Sequence, residues 1–162
     1  MYTTFFLSPR YGHGFYWGVG PGSLYPTATS SALGVDKWAT GPSAAFLKQD
    51  ESPLVFGAVV NNIWSLGGPP GNDRTNQLLF NPIVTYHFAD DWDVGTSPNI
   101  TANWITNGGK WTVPVGGGFG KATVLGGQPI KLDLDFYYNA IRSKVGNDTW
   151  LLQATLTFQF PK

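Results

Sequence analysis

The chain contains no cysteine, and only 12% of its 162 residues are charged. The first fact removes disulfide frameworks and thiolate metal sites, though it identifies no compartment. The second leaves about half the charge of an ordinary globular domain, too little to cover a wholly water-facing surface. Ten basic side chains balance ten acidic ones without a long run of either sign, so nucleic acid is not an expected partner. No stretch approaches the ~18 to 20 consecutive apolar residues of a membrane-spanning helix. Helical periodicity is missing, and 21 glycines and 12 prolines punctuate the chain too often for long helices. The opening residues MYTTFFLSPRYG carry neither the basic start nor the apolar run of a signal peptide. The chain is therefore expected to be a trimmed form or to start inside a longer protein.

Sequence signals for catalysis are equally scarce. VGGGFGKAT (115–123) superficially resembles a phosphate-binding loop, but Val115 stands where the first glycine belongs and Ala122 replaces the magnesium-binding hydroxyl. Nothing after Lys121 has helical patterning, so a dinucleotide turn between strand and helix fails as well. There is no nucleophile elbow, and His13 and His87 are isolated imidazoles. Asp90, Asp91 and Asp93 lack the spacing of a calcium loop and read as a solvated turn. The expectation is a protein that is not an enzyme and needs neither metal nor cofactor.

What the chain has is alternation. In KLDLDFYYNA, Leu132, Leu134, Phe136 and Tyr138 fall on one face, with Lys131, Asp133, Asp135, Tyr137 and Asn139 on the other. WLLQATLTFQF sets Trp150, Leu152, Ala154, Leu156, Phe158 and Phe160 against Gln153, Thr155, Thr157 and Gln159. QLLFNPIVTYHF sets Leu78, Phe80, Val84, Tyr86 and Phe88 against Gln77, Asn81, Thr85 and His87. Further strands are expected at about 2–8, 14–24, 36–47, 54–65, 92–104 and 110–124. The prediction is an all-β, antiparallel up-and-down meander of about eight or nine strands within one domain. Most are ~9 residues or longer, enough to cross a bilayer when tilted. Long connections alternate with short ones, so the long loops gather at one end of the meander, the asymmetry of a transmembrane β-barrel.

Aromatics make up 15% of the chain. Trp64, Trp104, Trp111 and Trp150 lie near the strand ends on the long-loop side, and Trp92 follows a short turn. Indole favours the headgroup level of a bilayer, so these five are expected at the membrane interface. Gly116, Gly117, Gly118 and Gly120 are then wall residues that allow bending or the close approach of a neighbouring side chain. Pro42, Pro82, Pro98 and Pro114 fit poorly, because proline removes a ladder donor.

Several segments, in order, resemble a known family: WGVGP (17–21), LYPTAT (24–29), KWATGPSA (37–44), NNIWS (61–65), SPNITANW (97–104), KWTVPVGGGFGK (110–121), QPIKLDLDFYYN (128–139) and the closing FQFPK. The chain is similar over nearly its whole length to the bacterial outer-membrane proteins often mislabelled neuromedin U. These are grouped with putative transporters and a phenol-degradation outer-membrane channel family. The resemblance implies a β-barrel in the outer membrane of a Gram-negative bacterium that passes small, perhaps hydrophobic or aromatic, solutes. It supplies no binding residues to carry over. Family members have a signal peptide and earlier strands, so the chain resembles the C-terminal part of a barrel of about twelve strands.

On this reading the apolar faces meet lipid. Lys131, Asp133, Asp135, Tyr137, Asn139, His87, Gln153 and Thr155 then line a lumen, since an ionised side chain facing the bilayer midplane costs ~2 to 4 kcal/mol for a cation and less for a carboxylate. Asp133 and Asp135 either select cations or hold a solute, or else pair with Lys131 or with basic groups on adjacent strands and hold the wall together. The lipid bilayer and a small solute are the expected partners. The alternative is a soluble lipocalin-like barrel or β-sandwich that holds a ligand among its aromatics, with Leu132, Leu134 and Phe136 inside.

Overall fold

The computed structural model describes residues 2–9, 14–25, 38–67, 74–143, 148–158 and 160. His13 and the connections at 26–36, 66–74 and 142–148 lie wholly or largely outside that set. The described chain forms one sheet of ten antiparallel strands in a meander. They are β1 (Tyr2–Thr4), β2 (Phe15–Leu24), β3 (Trp38–Lys48), β4 (Leu54–Gly67), β5 (Asn76–His87), β6 (Trp92–Thr96), β7 (Ile100–Asn103), β8 (Trp111–Leu125), β9 (Gln128–Ile141) and β10 (Trp150–Phe158). The all-β meander read from alternation is thus the observed architecture. The strand count exceeds the expected one because the segment at 92–104 is broken: β6 and β7 share one place in the sheet, between β5 and β8. The sheet therefore has nine positions. Among the described residues β1 and β10 do not pair, and each leaves one edge free.

Prolines explain where the ladders thin. Pro21 lies directly opposite Pro42, so neither strand offers a donor at that pair. The β3–β4 ladder correspondingly skips from Thr40↔Trp64 to Ser43↔Asn61. Residues 81–83 of β5, which include Pro82, have no partner in the gap between β6 and β7, where Pro98 lies. Pro114 sits at a register shift between β8 and β9. Pro42, Pro82 and Pro114 are thus part of strands, Pro98 lies between two, and all four mark breaks or shifts in the pairing.

Turns follow local chemistry. Gly126 and Gly127, both at positive φ, form the two-residue link between Leu125 and Gln128. Asp90 and Asp91 also have positive φ, 62° and 61°, in the short turn from β5 to β6, a conformation Asp tolerates better than most side chains.

Register fixes two faces. Residues directly opposite in an antiparallel pair share a face, which puts Asp93, Gly120, Asp133 and Thr155 on one side and Val94, Phe119, Leu134 and Ala154 on the other. The polar face is the more sheltered: Asp93 is 7% exposed and Tyr137 4%, whereas Leu134, Phe136, Leu156 and Phe158 are 38% to 54% exposed. The sheet is therefore concave on its polar side, called inner below, and convex on its apolar side.

Candidate functional site: the inner face and its two rims

The inner face divides along the sheet. Around β2 to β5 it is apolar and small. Phe6, Tyr16, Leu47, Val59 and Ile83 surround a recess of about 290 Å³ whose floor includes Gly18 and Ala45. Nearby, Ser43 and Asn61 face each other across β3 and β4, both nearly fully buried. The Ser43 hydroxyl has no hydrogen-bond partner among the described residues.

Around β6 to β10 the inner face is ionic. The Lys131 ammonium lies 2.9 Å from Asp93 Oδ2 and 2.7 Å from Asp133 Oδ1, so one cation bridges carboxylates from β6 and β9. Asp135, Thr85, Thr155 and Ser97 complete the wall of a recess of about 230 Å³. Room for the carboxylates comes from β8. A Cβ at Gly118 would collide with the Asp135 carboxylate and the Leu134 carbonyl, and one at Gly120 with the carboxylates of Asp133 and Asp93. The glycine run is thus the floor on which acidic side chains from the flanking strands lie.

A second, amide-rich recess of about 480 Å³ lies farther toward the long-loop end, between Asn99, Thr112, Pro114, Asn139, Leu151 and Gln153. Ser97 borders both recesses. Tyr137 stands beside it, its hydroxyl accepting a hydrogen bond from the Ser97 amide at 2.9 Å.

All eight residues expected on the polar face share that face. Lys131, Asp133, Asp135, Tyr137 and Asn139 alternate along β9, Gln153 and Thr155 pair with Asp135 and Asp133, and His87 pairs with Asp93. Asp133 is one of the two carboxylates that Lys131 bridges, while Asp135 has no ion pair among the described residues. The sequence reading missed Asp93 as a member of this cluster, having grouped it with the turn residues Asp90 and Asp91. A signal was present: Asp93 is two residues before Gly95 in the alternating stretch WDVGT. Asn81 was placed on the correct face, but its role in tying down the β6–β7 break was not legible.

On the outer face, four strands carry aromatic pairs eight residues apart, Trp38 and Phe46, Phe56 and Trp64, Trp111 and Phe119, Trp150 and Phe158, and Trp17 of β2 has the same spacing to Tyr25, the residue after that strand's end. At ~3.3 Å per residue and a tilt of ~40°, eight residues span about 20 Å along the axis, close to the apolar band of a membrane barrel. One rim holds Tyr25, Trp38, Trp64, Trp111 and Trp150, joined by Trp104. The other holds Trp17, Phe46, Phe56, Phe119 and Phe158, joined by Trp92. All five tryptophans predicted for the interface are substantially exposed. Trp104 stands edge-on to Trp111 at a ring separation of 5.6 Å, and its indole N–H donates to Asn62 Oδ1 at 2.7 Å.

Among the described strand residues, Lys48 and Lys121 are the charged side chains on the outer face, and both lie at the short-turn rim. Lys121 pairs across the sheet with Trp92 and holds its ammonium 4.7 Å from that ring's centre. Lys48 lies 6.0 Å from the Phe56 ring and 2.8 Å from Asp50. Long basic side chains with aromatic company at a band edge can keep their heads in water and their stems along the apolar surface.

Among the described residues, no helix is long and apolar enough to cross a membrane, and no group of three or more His, Cys, Asp or Glu could hold a metal ion. No family model, curated protein or solved structure matches this chain.

Proposed function

We propose that this chain is the wall, or the larger part of the wall, of a bacterial outer-membrane β-barrel that passes small solutes and has no catalytic role. The observation that carries the reading is the charge-free outer band between two aromatic rims, opposite an inner face that holds the ionic cluster. A soluble barrel or sandwich would turn Leu132, Leu134 and Phe136 into a dry core, and their exposure speaks against it. The divided inner face favours solutes that combine an apolar body with a polar group, since an apolar recess and an ionic one line the same concavity. The resemblance to the outer-membrane family named above points the same way.

Partition and electrophoresis test the reading together. The folded chain is expected to require detergent and to migrate faster unboiled than boiled on a denaturing gel. A protein that is soluble and monodisperse without detergent would defeat it.

A further inference from the structure

One place in the wall combines a broken ladder, a dense set of polar ties and a position between two recesses. The register of β5 with β6 continues unchanged into β7 (Val84↔Thr96, then Phe80↔Ile100), so the break at 97–99 neither gains nor loses a residue. Pro98 supplies no donor, and neither does Pro82 on β5. The segment is instead held by inner-face side chains. The Asn81 Nδ2, with two N–H to donate, lies within hydrogen-bond distance of four acceptors: Ser97 O at 3.0 Å, Ser97 Oγ at 3.1 Å, Pro98 O at 3.1 Å and Asn99 Oδ1 at 3.3 Å. From the other side, Tyr137 Oη accepts from the Ser97 amide at 2.9 Å; just before the break, Thr96, which shares the outer face with its partner Val84, donates from Oγ1 to Gly116 O at 2.7 Å.

The ties come from inner-face side chains on β5 and β9, and Ser97 itself lines both recesses. The ionic recess lies on its short-turn side, with Asp93, Lys131 and Asp133. The amide recess lies on its long-loop side, with Thr112, Asn139 and Gln153.

We infer that the Ser97–Pro98–Asn99 excursion is a constriction: a fixed ridge, stapled by Asn81 and Tyr137, that a solute must cross to move between the two recesses. The inference rests on the passage function proposed above and names the residues that set its selectivity. A ridge made by main chain and held from both sides keeps its shape without a dedicated plug, and the hydroxyl and amide groups along it offer hydrogen bonds to a polar solute in transit.

The test uses the full chain reconstituted in phosphatidylcholine vesicles loaded with glucose or with the bulkier sucrose. Tyr137→Phe removes the acceptor for the Ser97 amide, and Asn81→Ala removes the opposite staple. Each is expected to speed hydrogen exchange at 96–100 and to raise sucrose efflux several-fold more than glucose efflux. Because the native chain has no cysteine, Ser97→Cys gives a second measurement that gives up only the contacts of the Ser97 hydroxyl with Asn81 and keeps the main-chain ties to Asn81 and Tyr137: a water-soluble thiol reagent should cut efflux several-fold, with unmodified chain unaffected. Faster exchange with unchanged efflux, or a labelled Ser97→Cys chain that passes both sugars normally, overturns the constriction while leaving the passage reading intact. A native chain that inserts and releases neither sugar overturns both.

Discussion

At the scale of single residues, Lys131 is the keystone of the inner face. Among the described residues it is the one cation in contact with Asp93 and Asp133, and Asp93 is largely shielded from water. Lys131→Met would leave two carboxylates sharing a confined space without a counter-charge. A loss of about 1 to 3 kcal/mol is expected, read as a lower urea midpoint for the fast-to-slow gel transition. Substituting Asp133→Asn should cost less, because Asp93 keeps its partner. A smaller electrostatic effect belongs to the β3–β4 turn. The Lys48 ammonium hydrogen-bonds the Asp50 carboxylate, and with the Ser52 amide it holds that carboxyl below its usual range. A lowered folded-state value means that any stabilisation is present above the unfolded carboxyl's titration and fades as pH falls through the folded one. Lys48→Ala should move the NMR titration midpoint of Asp50 upward. Solvent around the surface pair keeps the consequence for stability small.

At the scale of elements, the turns and the glycine strand make opposite predictions. Asp90 and Asp91 occupy left-handed conformations, so Asp91→Gly is expected to stabilise the β5–β6 hairpin by about 0.5 to 1 kcal/mol in urea titration. Gly118→Val should do the reverse: its side chain would enter the space of the Asp135 carboxylate and the Leu134 carbonyl, and the heat-modifiable folded form should be lost. Much of this level was legible beforehand. Alternation located β5, β9 and β10 because apolar and polar side chains fall on opposite faces of each, and the glycine run at 116–120, read as part of the sheet, does lie within a strand, β8. The split of 92–104 into β6 and β7 was not legible. Pro98 alone signals a missing donor, but the break depends on Pro82 standing nearby on another strand and on Asn81 and Tyr137 reaching over it. Those are consequences of register, which no single strand encodes. Asp93 was misgrouped for the same reason: its partner Lys131 is on β9, and the two strands are brought together only by β8 between them.

At the scale of the whole molecule, the faces can be tested by moving one charge. Leu134→Arg on the proposed lipid side should destabilise the membrane form by about 2 to 4 kcal/mol, while Thr155→Arg on the concave side should cost far less, because its guanidinium reaches water and the neighbouring carboxylates. Equal costs, measured by urea titration in phospholipid vesicles, would contradict the proposed assignment of faces. The rims carry a further expectation: tryptophan emission should be quenched most by lipids brominated near the headgroup, and least by those brominated near the chain end.

The nine places in the sheet have a geometric corollary. Every neighbouring pair runs head to foot, so the outermost members, β1 and β10, point the same way. Bending this sheet until its borders touched would bring together two strands of like direction, with the slanted bonds of a parallel seam. Sealing it by the alternating pattern found everywhere else would take an odd complement of additional strands at the seam.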